Sequence, residues 1–130
     1  MTVELCHADG KYEAGQQLRA CWQVGQTTID EVVGVEASVL WFTEGKGDED
    51  LHVHHFVRWN DMQLQDLDLN AQHPIECVLP HSPVSYAGTL LRIHWCVRVR
   101  LFRSVGRECV TQQPFYLVGG FNDAEPSVYS

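Results

Sequence analysis

The chain has 130 residues, 45% of them hydrophobic, which suits one domain of ordinary size with a core that needs no staples. Its 17 acidic residues outnumber 9 basic ones, and the formal net charge of -8 argues against a general nucleic-acid binder. No apolar stretch approaches the roughly 20 residues that a membrane-crossing helix needs, and Met1-Thr2-Val3-Glu4-Leu5 shows no secretory n-region.

Helical periodicity is absent almost everywhere, and strand patterns follow one another with turn residues between them. Thr2 to His7 is predicted as the first strand, and Asp9-Gly10 and Gly15 frame a turn. Gln17 to Val24 is the second strand, with Leu18, Ala20, Trp22 and Val24 on one face. After a turn at Gly25-Gln26-Thr27-Thr28, Glu31 to Thr43 is a long third strand whose apolar face carries Val33, Val35, Ala37, Val39 and Trp41. Gly45 to Asp50 is a hairpin-like loop. Leu51 to Asn60 is the fourth strand, with Leu51, Val53, His55, Val57 and Trp59 on one side. Met62 to Asn70 fits either a short helical turn or an irregular segment.

His73 to Leu79 is a short strand that ends at Pro80. The corner from Pro80 to Gly88 cannot be a central strand, because Pro80 and Pro83 lack donors. Gly88 to Arg103 then alternates cleanly: Ile93, Trp95, Val97, Val99 and Leu101 on one face, Arg92, His94, Cys96, Arg98 and Arg100 on the other. Ser104-Val105-Gly106 turns the chain, and Arg107 to Val118 returns, with Pro114 marking an edge or a break. Gly119 to Ser130 reads as a tail. About seven antiparallel strands of this kind predict an all-β sandwich over residues 1–118, with an up-and-down barrel as the alternative. The Pro-rich corner suits strands that cross between two sheets.

Tyr12-Glu13-Ala14-Gly15-Gln16-Gln17-Leu18 resembles the opening of the arrestin fold, where a tyrosine, a short turn and a glycine precede the second strand. Leu79-Pro80, then Ser85-Tyr86-x-Gly88, then Ile93-x-Trp95-x-Val97-x-Val99 is similar to the arrestin-fold signature in order and spacing. Pro114-Phe115-Tyr116-Leu117 is similar to the closing strand of such a lobe. The resemblance covers one lobe, Val3 to Val118. It implies an immunoglobulin-like sandwich and a non-catalytic adaptor or scaffold role. The tandem lysines of the phosphate-sensing family members are replaced here by His7-Ala8-Asp9-Gly10-Lys11, and Pro126-Ser127-Val128-Tyr129 only partly matches a Pro-Pro-x-Tyr motif.

The basic row Arg92, His94, Arg98 and Arg100, joined by Arg58 from the fourth strand, is the candidate partner-binding face. Guanidinium forks there would grip a carboxylate or phosphate. The competing expectation is neutralisation by Glu36, Glu108 or Asp61 across the strands. His52 and His54 are predicted on one face and close enough to share a metal ion, with Asp50 or His94 as a third ligand. The competing expectation there is a wet strand face. Trp22, Trp41, Trp59 and Trp95 fall on apolar faces, with Trp41 and Trp95 expected to meet.

No glycine elbow frames any serine or cysteine, so no enzyme is expected, and Cys96 beside His94 is the least poor candidate for a reactive thiol. Gly45 to Asp50 lacks the oxygen spacing of a calcium loop. The five cysteines form no C-x-x-C pair and read as reduced, which points to the cytoplasm. The expected function is a protein-interaction module with a protein partner and no cofactor, nucleic acid or membrane insertion. The alternatives are a small metal- or ligand-binding sandwich using His52/His54, and a homo-oligomer joined through an exposed sheet edge or the arginine-bearing face.

Overall fold

The computed structural model describes residues 1–25, 32–47, 49–106 and 108–119. Most of the turn predicted at 25–28, Asp48 of the hairpin loop and the tail from 120 onward lie outside them. The strands are β1 (Thr2–Leu5), β2 (Lys11–Glu13), β3 (Gln17–Gln23), β4 (Val32–Gly45), β5 (Leu51–Asn60), β6 (His73–Val78), β7 (Tyr86–Ala87), β8 (Leu91–Arg103) and β9 (Cys109–Val118). They build two sheets. The small one has the order β1-β3-β6, and the large one β2-β9-β8-β4-β5 with β7 attached to β8. The strand count exceeds the predicted seven or so because β2 and β7 are short pieces set in turns. One pair, β2 with β9, is parallel rather than antiparallel.

The inner faces follow the alternation closely. On β3, Leu18, Ala20 and Trp22 are buried, and on β8 Trp95, Val97, Val99 and Leu101 are. Trp41 and Trp95 stand opposite each other in the β4–β8 ladder, as expected. Trp22 and Trp95 lie in the core, whereas Trp41 and Trp59 are half-buried against it. Tyr12 is fully buried, and its hydroxyl donates to the Arg19 carbonyl at 3.1 Å. Burial pushes that hydroxyl's pKa above the ordinary tyrosine value.

Two irregularities break the straight alternation. The β4–β8 register shifts between Val32 and Gly34, so Val32 turns into the core and Val33 is left 40% exposed. On β5 the register shifts opposite Val39 and Leu40, where His55 and Val53 are the partners and His54 is the extra residue. His55, Val57 and Trp59 therefore keep the predicted inner side. Leu51 and Val53 do not: they face outward with Phe42 and Leu40, and stand 50% and 51% exposed.

The segment after β5 resolves into a helix, α1 (Asp61–Leu64). Asn60 caps it reciprocally with Gln63, at 2.9 Å to the Gln63 amide and 2.8 Å back to the Asn60 amide. The cap aims Leu64 and, after the following turn, Leu69 into the core. Gly45 ends β4 at φ +150, where a Cβ would stand 2.2 Å from the Leu90 carbonyl, so only glycine fits. Pro114 is tolerated in β9 because its nitrogen lies on the side where β2 has not yet begun. Tyr116, two residues on, is the first to donate there, to Gly10 at 2.8 Å.

The two fully buried indoles differ in one respect. Trp95 Nε1 donates to the Pro83 carbonyl at 2.8 Å, tying the proline corner to β8. Trp22 Nε1 is buried with no acceptor among the described residues, its ring packed between Trp59 and His73. Trp95→Ala should therefore cost about 3–5 kcal/mol in urea unfolding. Trp95→Phe, which deletes a part-buried hydrogen bond, should cost about 1 kcal/mol more than Trp22→Phe, which removes an unpaired donor. The reverse order would mean that the Pro83 hydrogen bond contributes nothing net.

Candidate functional site

The outer face of the large sheet is the candidate site, and the register sets its layout. Crossing β5, β4, β8 and β9 in turn, one row reads Arg58, Glu36, Arg100, Val110 and the next Phe56, Ser38, Arg98, Gln112. A third reads Val53, Leu40, Cys96, Pro114, followed by Leu51, Phe42 and His94. Half of the face is thus charged and half apolar. The apolar half is closely packed: Leu40 and Cys96 are 1% and 3% exposed although they point away from the core.

The basic row stands where the alternation puts it, and most of it is neutralised at home. Arg58 meets Glu36 at 3.1 Å, Arg92 and His94 meet Glu44 at 3.8 and 2.9 Å, and Arg100 meets Glu108 at 3.7 Å. Glu36 and Glu108 are two of the three predicted neutralisers; Glu44 takes the place of Asp61. These pairs are exposed and worth about 0–1 kcal/mol each. Arg98 differs, because no carboxylate lies within salt-bridge reach of it among the described residues. Gln112 holds it instead, its amide oxygen turned to accept from Nη2 at 2.6 Å and Nε at 2.8 Å. A neutral amide fixes the guanidinium without cancelling its charge. Arg98 also helps line a cleft of about 250 Å³ with Phe42, Thr43, Glu49, Asp50 and Leu51. A second cavity, of about 280 Å³, lies where β7 gives way to β9 along β8, walled by Tyr86, His94, Trp95, Phe115 and Tyr116.

The predicted metal pair is dispersed by the β5 bulge. His52 stands opposite Trp41 and stacks on its ring at 4.3 Å. His54, the bulged residue, donates Nε2–H to the Val78 carbonyl of β6 at 2.7 Å and so ties the open edges of the two sheets together. His94 is on the opposite face of the sheet, bonded to Glu44, and cannot serve as their third ligand. Among the described residues no three His, Cys, Asp or Glu side chains are grouped to hold a metal ion. Cys96 is sealed rather than activated. Burial raises its thiol pKa, more than the nearby Arg98 charge lowers it. What the sequence reading missed is the apolar half of the face. Leu51 and Val53 join it only because of the bulge, which straight alternation through Leu51-His52-Val53-His54-His55 conceals.

No protein-family model and no curated protein matches the sequence. Among solved structures, the chain is similar to Spo0M, a sporulation control protein from Bacillus subtilis, with a TM-score of 0.60 and 12% identity, covering 89% of this chain and 48% of that one. The chain thus spans about half the length of that structure's chain. At this identity the likeness carries the fold, an all-β, immunoglobulin-like (arrestin-like) β-sandwich. No helix among the described residues is long and apolar enough to cross a membrane.

The cysteines supply a check on this arrangement. Burial pushes the Cys77 thiol up to about 11 and raises that of Cys96. Both therefore hold less thiolate at mildly alkaline pH than in the unfolded chain. Iodoacetamide at pH 8 should alkylate exposed Cys6 in the native protein while Cys77 and Cys96 stay unmodified until denaturant is added. Rapid native labelling of Cys96, read by peptide mass mapping, would mean that the apolar half of the face is open.

Proposed function

We propose that the chain is a non-catalytic adaptor module that docks a protein partner on the outer face of its large sheet. The observation that carries this reading is the juxtaposition there of an uncancelled, amide-held Arg98 with exposed Leu51, Val53 and Phe56 on rigid strands. A cation beside an apolar patch, ringed by self-neutralised charges, suits an anchor-and-rim interface. Arginine held in place needs little ordering to bind a carboxylate on the partner. The fold's likeness to a sporulation control protein and the arrestin-like signature in the sequence support a regulatory rather than catalytic role. The free thiols fit a reducing compartment such as the cytoplasm.

The reading is tested by photocross-linking. A benzophenone amino acid in place of Val110 or Pro114, exposed outer-face residues of β9 in the rows on either side of Arg98, should yield adducts with a foreign protein in cells. The same group in place of Arg19, exposed on the small sheet, should not. Adducts at all three positions alike, or at none, would sink the proposal.

A further inference from the structure

We infer that the protein pairs with a second copy of itself along β5, continuing the large sheet across a twofold axis through Val57. β5 is a ten-residue edge strand, bonded to β4 on one side only. Natural edges of that length are usually blunted by charge, proline or a bulge. β5 is bulged at His54, but the regular stretch beyond it, His55-Phe56-Val57-Arg58-Trp59-Asn60, has no lysine, proline or carboxylate, and Arg58 is its one formal charge. The sheet's other edge is the three residues of β2 and then the open flank of β9, where Pro114 interrupts the row of donors.

The occupant follows from the strand's own pattern. The bulge at His54 and the start of α1 at Asp61 confine the regular stretch to 55–60. In an antiparallel ladder, residues directly opposite share a face, so a twofold that keeps the outer faces continuous must pass through a residue. Centred on Val57, the stretch is self-complementary. Phe56 meets the second copy's Arg58 on the outer side, twice by symmetry, and His55 meets the second copy's Trp59 on the inner side.

Phe56 is 51% exposed, and the Arg58 side chain is 62% exposed while it holds Glu36, so both are available for a guanidinium–ring contact. No like charges face each other in this register. An unrelated strand would satisfy the same backbone groups, but it would have no reason to match an aromatic against Arg58 and a cation against Phe56. The pairing goes beyond the docking reading and needs no foreign partner.

Sedimentation of the full chain from low micromolar to several hundred micromolar should show a reversible monomer–dimer equilibrium. Phe56→Arg sets two pairs of arginines against each other and should raise the dissociation constant about tenfold or more. Phe56→Glu gives Arg58 an opposite charge and should keep the dimer. Backbone amides of 55–60 should gain hydrogen-exchange protection as concentration rises. The position is half-exposed, so both variants should keep the native near-UV circular dichroism. Four results would each overturn the inference: a monomer throughout, a dimer indifferent to Phe56→Arg, loss of the dimer in Phe56→Glu as in Phe56→Arg, or protection independent of concentration.

Discussion

The ladder between β4 and β8 is the constraint from which the rest of the molecule follows. It runs from Val32 opposite Arg103 to Gly45 opposite Leu91, most of the length of both strands. Backbone pairing over that length fixes which side chains share a face, because a slip of one residue would turn every apolar side chain outward. With the register held, Val35, Ala37 and Val39 of β4 and Trp95, Val97 and Val99 of β8 fall on one side and build the centre of the core. The arginines of β8 are then placed on the other side by the same alternation. Fold and candidate site are two readings of one ladder.

Departures from that regularity shape the surface more than the regular parts do. The bulge at His54 reverses the remainder of β5. It moves two aliphatic residues out to join Phe42 and brings His52 against Trp41. It also frees the His54 ring to reach β6 across the mouth of the sandwich. A single inserted residue thus disperses a would-be metal pair, builds an apolar patch and ties two sheet edges together.

These facts mark what could be read from the sequence and what could not. The faces of β3 and β8 were legible, because an unbroken strand with one wet side must alternate. The halt of β6 before Pro80 was legible from the missing donor. The basic row was legible as a row, but its neutralisation by Glu44 was not, since that depends on which strands are neighbours. The two bulges were hidden because apolar residues continue the alternation straight through Val33 and Val53. The Asn60–Gln63 capping box that starts α1 is present in the sequence as Asn60-Asp61-Met62-Gln63. The parallel pairing of β2 with β9 joins residues about a hundred positions apart, where local pattern carries no information. The role of Gln112 as the keeper of Arg98 has the same cause: a cross-strand neighbour is invisible until the strands are ordered.

The β2–β9 pairing sets Lys11 opposite Tyr116. Strands so far apart meet only after every strand between them has been synthesised, and contacts of such sequence separation form late and slowly. During translation, one flank of β8 between Trp95 and Leu101 waits for β9 to emerge from the ribosome. Until then the nascent chain carries a long, apolar, half-paired edge of the kind that chaperones hold.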